Sequence, residues 1–141
     1  MKISEILDHI ESDSEIEKSR LDSESLNIPK LHSKYVRMVA AERDLLRRLQ
    51  QKMIMLHKEK WEYYSGKAPA EVYREKPFNI KVLKSELDRY IDSDDEVIKL
   101  AAYISEQQDK VSILEDWIKQ INGRSFQIKN AIDYIRWTNG G

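Results

Sequence analysis

The feature that most limits the fold is a stretch of the chain, residues 30–65, that contains neither glycine nor proline. Its apolar side chains recur three or four residues apart, and at about 100° per residue they fall within roughly a third of the helical circle. This spacing predicts one long amphipathic helix, which Pro29 introduces and Ser65-Gly66 ends. With only four glycines and three prolines among 141 residues, the chain has few places to turn.

A second long pattern runs from residue 97 to residue 135, where apolar residues alternate at spacings of three and four. Such a heptad pattern is typical of helices that associate along a seam, so we expect these positions to drive oligomerisation. They are Val97, Leu100, Ile104, Val111, Leu114, Ile118, Ile121, Ile128, Ile132 and Ile135. Gln107 occupies an apolar position of the same heptad pattern. It either sets the alignment of the associating helices or the number of subunits, or it points to solvent. Asn122-Gly123 is a turn signal, which favours two helices over one helix with a local fault.

The remaining segments are shorter. Ile3, Ile6, Leu7 and Ile10 predict an amphipathic N-terminal helix, and the polar residues 11–28 predict a linker that is partly ordered at best. Residues 66–78 are expected to form a loop and residues 80–91 a modest helix. Ser93 or Asp94 is the expected N-cap of the next helix.

These patterns predict an all-α fold with long helices and a heptad C-terminal region, divided into an N-terminal short helix and acidic linker (1–28) and a helical domain (29–137). Long apolar faces in so short a chain need antiparallel pairing or association between subunits. We expect self-association.

Composition excludes several classes of function. The chain has no cysteine, three histidines and no glycine-rich phosphate loop, so we expect no metal site, no cofactor and no enzyme. No apolar run approaches the length of a membrane span, and the N-terminus lacks the pattern of a secretory leader. We therefore expect a cytoplasmic protein without membrane association.

Charge is balanced overall, with 24 Lys and Arg against 25 Asp and Glu, but it is separated into blocks. Residues 1–28 hold eight acids and three bases, residues 31–60 hold eight bases and three acids, and residues 86–96 hold six acids and one base. The basic block lies on the long helix, away from its apolar arc. Six of the eight bases form this face, namely Arg37, Arg43, Arg47, Arg48, Lys52 and Lys58.

Two interpretations of this basic face remain open. It is either a solvated surface paired with carboxylates such as Asp44, or a stripe that binds the phosphates of a nucleic acid. Trp61 projects to the same side, where it could stack on a base, although packing in a core is the alternative. Lys60 projects into the apolar arc, where its ammonium must reach solvent or meet an anion, unless the helix ends before it.

Two short motifs resemble the UvsY family of bacteriophage recombination mediators. Residues 56–66, Leu-His-Lys-Glu-Lys-Trp-Glu-Tyr-Tyr-Ser-Gly, are similar to the family segment Lys-Ala-Arg-Leu-Asp-Tyr-Tyr-Ser-Gly. Residues 123–129, Gly-Arg-Ser-Phe-Gln-Ile-Lys, are similar to a second family segment, Ser-Arg-Gly-Phe-Ala-Ile-Lys. Both motifs occur in the family's order and with a matching separation.

The resemblance implies a function in homologous recombination, repair and recombination-dependent replication in the cytoplasm of an infected bacterium. It implies binding of single-stranded DNA, a ring-like homo-oligomer of six or seven subunits held by the C-terminal helices, and two protein partners. These partners are a RecA-like recombinase and the single-stranded-DNA-binding protein that it displaces.

The resemblance also assigns DNA contacts to Lys58 and Lys60. Lysine at position 60 lacks the bidentate fork of the family's arginine, and Trp61 replaces a leucine. A coiled-coil adaptor that binds only proteins is the alternative function, although such an adaptor has no need for a tryptophan among cations.

Overall fold

The computed structural model describes residues 1–140, which form seven α-helices and two short 3₁₀ turns without any strand. The helices are α1 (Ile3–Ser14), α2 (Leu21–Leu26), α3 (Ile28–Tyr64), α4 (Ala70–Glu75), α5 (Leu87–Asp92), α6 (Asp95–Asn122) and α7 (Arg124–Thr138). The 3₁₀ turns are Lys18–Arg20 and Lys84–Glu86. The predicted all-α fold with long helices is confirmed.

The boundaries of the long helices follow local signals in the sequence. After α3, the Gly66 amide donates to the Tyr63 carbonyl and the Lys67 amide to the Glu62 carbonyl. This is the Schellman pattern, and it requires the positive φ of 79° that Gly66 adopts. Gly123 separates α6 from α7, so the predicted break at Asn122-Gly123 is confirmed.

Two local predictions were wrong and a third was right only in part. The expected linker at 11–28 contains the end of α1, a 3₁₀ turn and α2, and it buries Leu21. The expected loop at 66–78 contains α4, a helix too short to show periodicity. The helix expected at 80–91 is present but shorter, because α5 begins at Leu87 after the 3₁₀ turn Lys84–Glu86, and residues 79–83 are not helical.

The chain divides into two compact units. The first unit comprises Met1–Arg43 and the chain from Asp109 onward, and the second comprises Asp44–Gln108. Helices α3 and α6 each contribute to both units.

The first unit has an apolar core in which Tyr35 is fully buried and meets Trp117 edge to face at 5.8 Å. The Tyr35 hydroxyl donates to an Asp13 carboxylate oxygen at 2.7 Å. Arg124, only 5% exposed, donates to the Asp13 and Glu15 carbonyls and to the Glu24 carboxylate. The arginine of the second motif thus fastens the start of α7 to the N-terminal segment.

The second unit contains an aromatic cluster at the end of α3. Tyr63 stacks on Tyr73 of α4 at 5.5 Å and contacts Phe78 at 5.3 Å. The Tyr73 hydroxyl donates to the Tyr63 carbonyl at 2.8 Å. Gln107 is also part of this unit and is only 3% exposed, so the solvent-facing alternative for this residue was wrong.

Candidate nucleic-acid interface

The candidate interface lies on the half of α3 that belongs to the second unit. Arg47, Arg48, Lys52 and Lys58 are all exposed there, while Lys60 is buried. At about 100° per residue, Lys58 lies about 20° from Arg47 on one side and Trp61 about 40° from Arg47 on the other, whereas Arg48 and Lys52 lie further round the helix on the Lys58 side, about 100° and 140° from Arg47. We call Arg47, Lys58 and Trp61, with the flanking Arg48 and Lys52, the basic stripe.

The cations of the basic stripe differ in their partners. Asp44 forms salt bridges with Arg48 at 2.8 Å and with Arg47 at 3.6 Å. Both are exposed pairs of residues about one helical turn apart. Such pairs contribute only about 0.3–0.5 kcal/mol and are easily exchanged for a stronger anion. Within residues 1–140, Lys52 and Lys58 form no salt bridge. These two ammonium groups are therefore the most readily available for a phosphate.

Trp61 keeps 40% of its surface exposed, in agreement with its predicted position on the basic side. The Lys67 ammonium lies 4.6 Å from the centroid of the indole ring. A cation at this distance is attracted by the negative π face of the ring. The indole thus has a cation against it and a solvent-accessible part, the two elements from which single-strand sites are built.

Lys60 belongs to a different environment, although it is only two residues from Lys58. It is 7% exposed, and its Nζ lies 3.4 Å from an Asp94 oxygen and 3.4 Å from a Glu96 oxygen. The Tyr64 hydroxyl donates to the same Asp94 oxygen at 2.6 Å. The prediction that Lys60 must reach solvent or meet an anion is resolved in favour of the anion. We call Lys60, Tyr64, Asp94 and Glu96 the buried charge cluster.

Asp94 holds this cluster together because each of its oxygens has a different task. One oxygen accepts from Lys60 and Tyr64, and the other accepts the Glu96 backbone amide at 2.9 Å. The latter bond is an N-cap of α6, as predicted for Asp94. The last turn of α3 is therefore tied to the first turn of α6 within the second unit.

The pKa values in the cluster reflect the same contacts. Burial by itself lowers the pKa of Lys60, but the charges of Asp94 and Glu96 outweigh it and leave the pKa above its usual value. Burial raises the pKa of Asp94, yet the hydrogen bonds from Tyr64 and the Glu96 amide, with the Lys60 charge, bring it below its usual value. Burial and the bond to Asp94 raise the pKa of Tyr64. Lys60 and Asp94 thus remain an ion pair over the physiological range.

Arg43, also expected to contact DNA, belongs to the first unit. Its Nη2 and Nε donate to one Glu115 oxygen at 2.9 and 3.3 Å. Both side chains are about half exposed, so the pair is a surface one. Arg43 is accessible, but part of its donor capacity is occupied within the chain.

The predicted oligomerisation seam is divided between buried and accessible positions. Val97, Val111, Leu114, Ile121 and Ile128 are already buried within the single chain. Leu100, Ile104, Ile118 and Ile132 are partly exposed, and Ile135 is 38% exposed. Periodicity alone could not distinguish a seam inside one subunit from a seam between subunits.

Sequence reasoning missed Ile54 and Lys67. Ile54 was counted with neither the apolar arc nor the stripe, although it is seven residues from both Arg47 and Trp61. Lys67 follows the helix-ending glycine, and only the return of the chain after α3 brings it to Trp61. The spacing could have identified Ile54, whereas no local signal identifies Lys67.

Two searches of the described residues concern other classes of site. No group of three or more His, Asp or Glu side chains within residues 1–140 is arranged to hold a metal ion. In the same part of the chain, no helix has both the length and the apolar character needed to cross a membrane.

An exposed basic stripe with a neighbouring indole is the kind of surface that nucleic-acid-binding proteins use. Residues 9–141 match the family described as "Recombination, repair and ssDNA binding protein UvsY". The chain belongs to this family of single-stranded-DNA-binding recombination and repair proteins, as the two motifs indicated.

Solved structures agree on the fold. Three crystal structures of the recombination mediator protein UvsY of bacteriophage T4, in lattice types II, IV and I, match with TM-scores of 0.87, 0.84 and 0.85. Sequence identity is 20%, 18% and 20%, over 99%, 98% and 95% of this chain and 99%, 99% and 98% of the T4 chains. The comparison with curated protein sequences found no significant match to the chain.

Proposed function

We propose that this protein is a recombination mediator of an infecting phage and acts in the cytoplasm of the bacterial host. It binds single-stranded DNA and helps to load a RecA-like recombinase onto strands coated by single-stranded-DNA-binding protein. Membership of the family supports the DNA-binding part of this proposal. The alternative of an adaptor that binds only proteins is set aside because the family is described as binding single-stranded DNA.

The observation that carries the location of the DNA site is the pair of unpartnered ammonium groups on α3. Lys52 and Lys58 have no carboxylate partner within the described residues, and Arg47 and Arg48 share only an exposed Asp44. Phosphate contacts at these four side chains release counterions from the DNA, which is the main source of affinity for a strand. In the first unit, Arg43 is a separate cation that becomes available when a phosphate displaces Glu115.

Lys60 has an indirect role in this proposal. Its ammonium is held by Asp94 and Glu96, and a phosphate would have to compete with two carboxylates at a buried position. We assign to Lys60 the positioning of the end of α3, on which Lys58 and Trp61 are carried.

A homo-oligomer of six or seven subunits, ring-like in form, would present several basic stripes to one strand. Individually weak contacts would then combine into a site of high avidity. Exposed apolar side chains are available for association, because the partly exposed seam positions are accompanied by Phe126, Tyr134 and Trp137 of α7, which are 70%, 66% and 79% exposed.

Fluorescence anisotropy of a labelled single-stranded oligonucleotide tests the DNA site. Binding should weaken strongly between about 50 mM and about 200 mM salt, because each phosphate contact releases counterions. Lys52→Ala with Lys58→Ala should weaken binding at least severalfold. The control is Lys81→Ala with Lys84→Ala, an equal loss of charge at exposed positions of the same unit. Equal effects of the two pairs would remove the stripe from the proposal.

A reconstituted reaction tests the mediator role. The chain should shorten the delay before a RecA-like recombinase assembles on a strand coated by single-stranded-DNA-binding protein, and the variant lacking Lys52 and Lys58 should not. An unchanged delay with the wild-type chain, under conditions where it binds bare DNA, would contradict mediation while leaving DNA binding intact.

A further inference from the structure

Ile54 is an apolar side chain on the part of the basic stripe that carries Arg47, Lys58 and Trp61. It lies seven residues after Arg47 and seven before Trp61, and it is 71% exposed. Seven residues advance a helix by almost two full turns, so Arg47, Ile54 and Trp61 lie within about 40° of one another and about 10 Å apart along the axis. Lys58, one turn beyond Ile54, lies about 40° to one side. The stripe therefore alternates cationic and apolar groups.

A single exposed isoleucine is ordinary on a protein surface. Ile54 differs because it shares its face of α3 with Trp61, the next exposed large apolar side chain. The Lys67 ammonium lies against the Trp61 ring. Met55 provides a contrast, since it is equally apolar and 73% exposed but lies about 120° from Trp61 around α3, on the side of the stripe that carries Arg48 and Lys52. Ile54 and Met55 differ in their position relative to Trp61 and hardly at all in exposure.

The alternation matches the chemistry of an unpaired strand. Phosphates along the backbone pair with Arg47 and Lys58, while the bases have unstacked apolar faces that can contact an aliphatic or aromatic side chain. In a duplex those faces are covered by neighbouring bases, and only phosphates and groove edges remain accessible. Cations attract both forms of DNA, whereas apolar contacts are available only to the single strand.

We propose that Ile54, together with Trp61, contacts the bases and makes the basic stripe selective for single-stranded over duplex DNA. The proposal rests on the DNA site assigned to α3 above and names the side chains that decide which form of DNA is bound there. Lys58 and Arg47 supply affinity in this arrangement, and Ile54 and Trp61 supply the preference.

A second copy of α3 is a poorer occupant of the same face. A helix packed along Arg47, Ile54 and Trp61 would cover the Lys58 ammonium and the Arg47 guanidinium. Within the described residues Lys58 has no salt-bridge partner, and Arg47 has only the half-exposed Asp44. Desolvating unpaired cations is unfavourable. A polyanion with apolar faces satisfies both kinds of group at once.

The test compares Ile54→Ser with Met55→Ser. Dissociation constants are measured for a single strand and for a duplex of the same length and sequence, at one salt concentration. Ile54→Ser should weaken single-strand binding about threefold to tenfold and leave duplex binding within twofold, so that the preference falls by the same factor. Met55→Ser should leave both constants unchanged.

Two further variants test the kind of contact. Ile54→Leu should retain the preference for the single strand, and Trp61→Ser should reduce this preference by about tenfold or more.

The other outcomes each overturn the proposal. If Ile54→Ser and Met55→Ser behave alike, or if Ile54→Ser weakens single-strand and duplex binding equally, Ile54 does not select the single strand. If light scattering shows that Ile54→Ser also lowers the oligomer mass while Met55→Ser does not, the face belongs to a second copy. Absence of any binding by the wild-type chain at low salt would instead refute the DNA site itself, a result distinct from loss of selectivity.

Helical content by circular dichroism verifies that each variant is folded. Serine and isoleucine have similar helix propensities, so the Ile54→Ser change at an exposed position of α3 should leave the helix intact. The Ile54→Leu variant gives a second readout with a stronger helix former at the same site.

Discussion

Lys58 and Lys60 stand two residues apart in one motif of one helix, and the fold gives them opposite environments. Lys58 is exposed and forms no salt bridge within residues 1–140. Lys60 is buried between Asp94 and Glu96. Two residues are about 200° of helix, which is enough to turn one lysine toward solvent and the other into the unit. The same residue type can therefore be a ligand-binding group at one position and a structural group at the other.

The comparison extends to the groups around each lysine. Lys58 has no carboxylate within salt-bridge distance among the described residues, so its exposed ammonium can attract an anion. Around Lys60 two carboxylates and a tyrosine hydroxyl surround one ammonium, and every charge has a partner. Changes in the buried charge cluster should alter stability, and changes in the basic stripe should alter DNA binding.

The largest expected effect comes from Asp94→Ala. It removes the N-cap of α6 and leaves the Lys60 ammonium and the Tyr64 hydroxyl without their main acceptor. We expect the free energy of unfolding, measured with urea, to fall by about 3 kcal/mol, because loss of one member of a buried ion pair is strongly destabilising.

Asp92→Ala is the control for that change. Asp92 is 70% exposed and lies 3.9 Å from His57, so its loss should cost less than about 0.5 kcal/mol. Equal losses for Asp92→Ala and Asp94→Ala would mean that the buried charge cluster does not stabilise the second unit.

A smaller effect is expected from Tyr64→Phe. This change removes only the hydroxyl that donates to Asp94 and keeps the ring that packs on Phe78. The expected loss is about 1 kcal/mol in urea unfolding, the usual contribution of one buried hydrogen bond. Tyr103→Phe, at a residue 53% exposed, should change stability by less than about 0.5 kcal/mol. A neutral Tyr64→Phe would show that the hydroxyl does not help to hold Asp94.

The smallest effect is the contribution of one group to the pH dependence. The pKa of Asp94 is below its unfolded value of 3.8, so its stabilising effect is complete above about pH 4 and is lost as pH falls through the folded-state pKa. The pKa values of Lys60 and Tyr64 are raised above 10.5 and 10.0, so their stabilising effect is complete below about pH 10 and is lost at higher pH. Thermal melting of Asp94→Asn should show a weaker loss of stability in acid than the wild-type chain. An unchanged acid dependence would exclude Asp94 as a contributor.

Local features of this fold could be predicted from sequence because they depend on neighbours along the chain. Gly66 ends α3 and Asp94 caps α6 through contacts within a few residues. The placement of Lys60 in the apolar arc also follows from helical periodicity alone. The partners of Lys60 cannot be predicted from periodicity, because Asp94 lies 34 positions further along the chain and tertiary packing brings it to Lys60.

The candidate site shows the same division. The cations of the basic stripe could be identified from their angular positions on α3. Helix α4 was missed because six residues are stabilised by the Tyr73 contacts and not by intrinsic propensity. The heptad positions were recognised, but whether Leu114 or Ile128 packs inside one subunit or between two depends on the three-dimensional path of the chain.

The most direct test of the contrast between the two lysines is the salt dependence of single-strand binding for the wild-type chain, Lys58→Met and Lys60→Met. For each folded protein, the logarithm of the binding constant is plotted against the logarithm of the salt concentration. Lys58→Met should reduce the steepness by about 0.7 for each phosphate that the side chain no longer binds, and Lys60→Met should lower stability while keeping the wild-type slope. A reduced slope for Lys60→Met and an unchanged slope for Lys58→Met would contradict the assignment of Lys58 to DNA and of Lys60 to the fold.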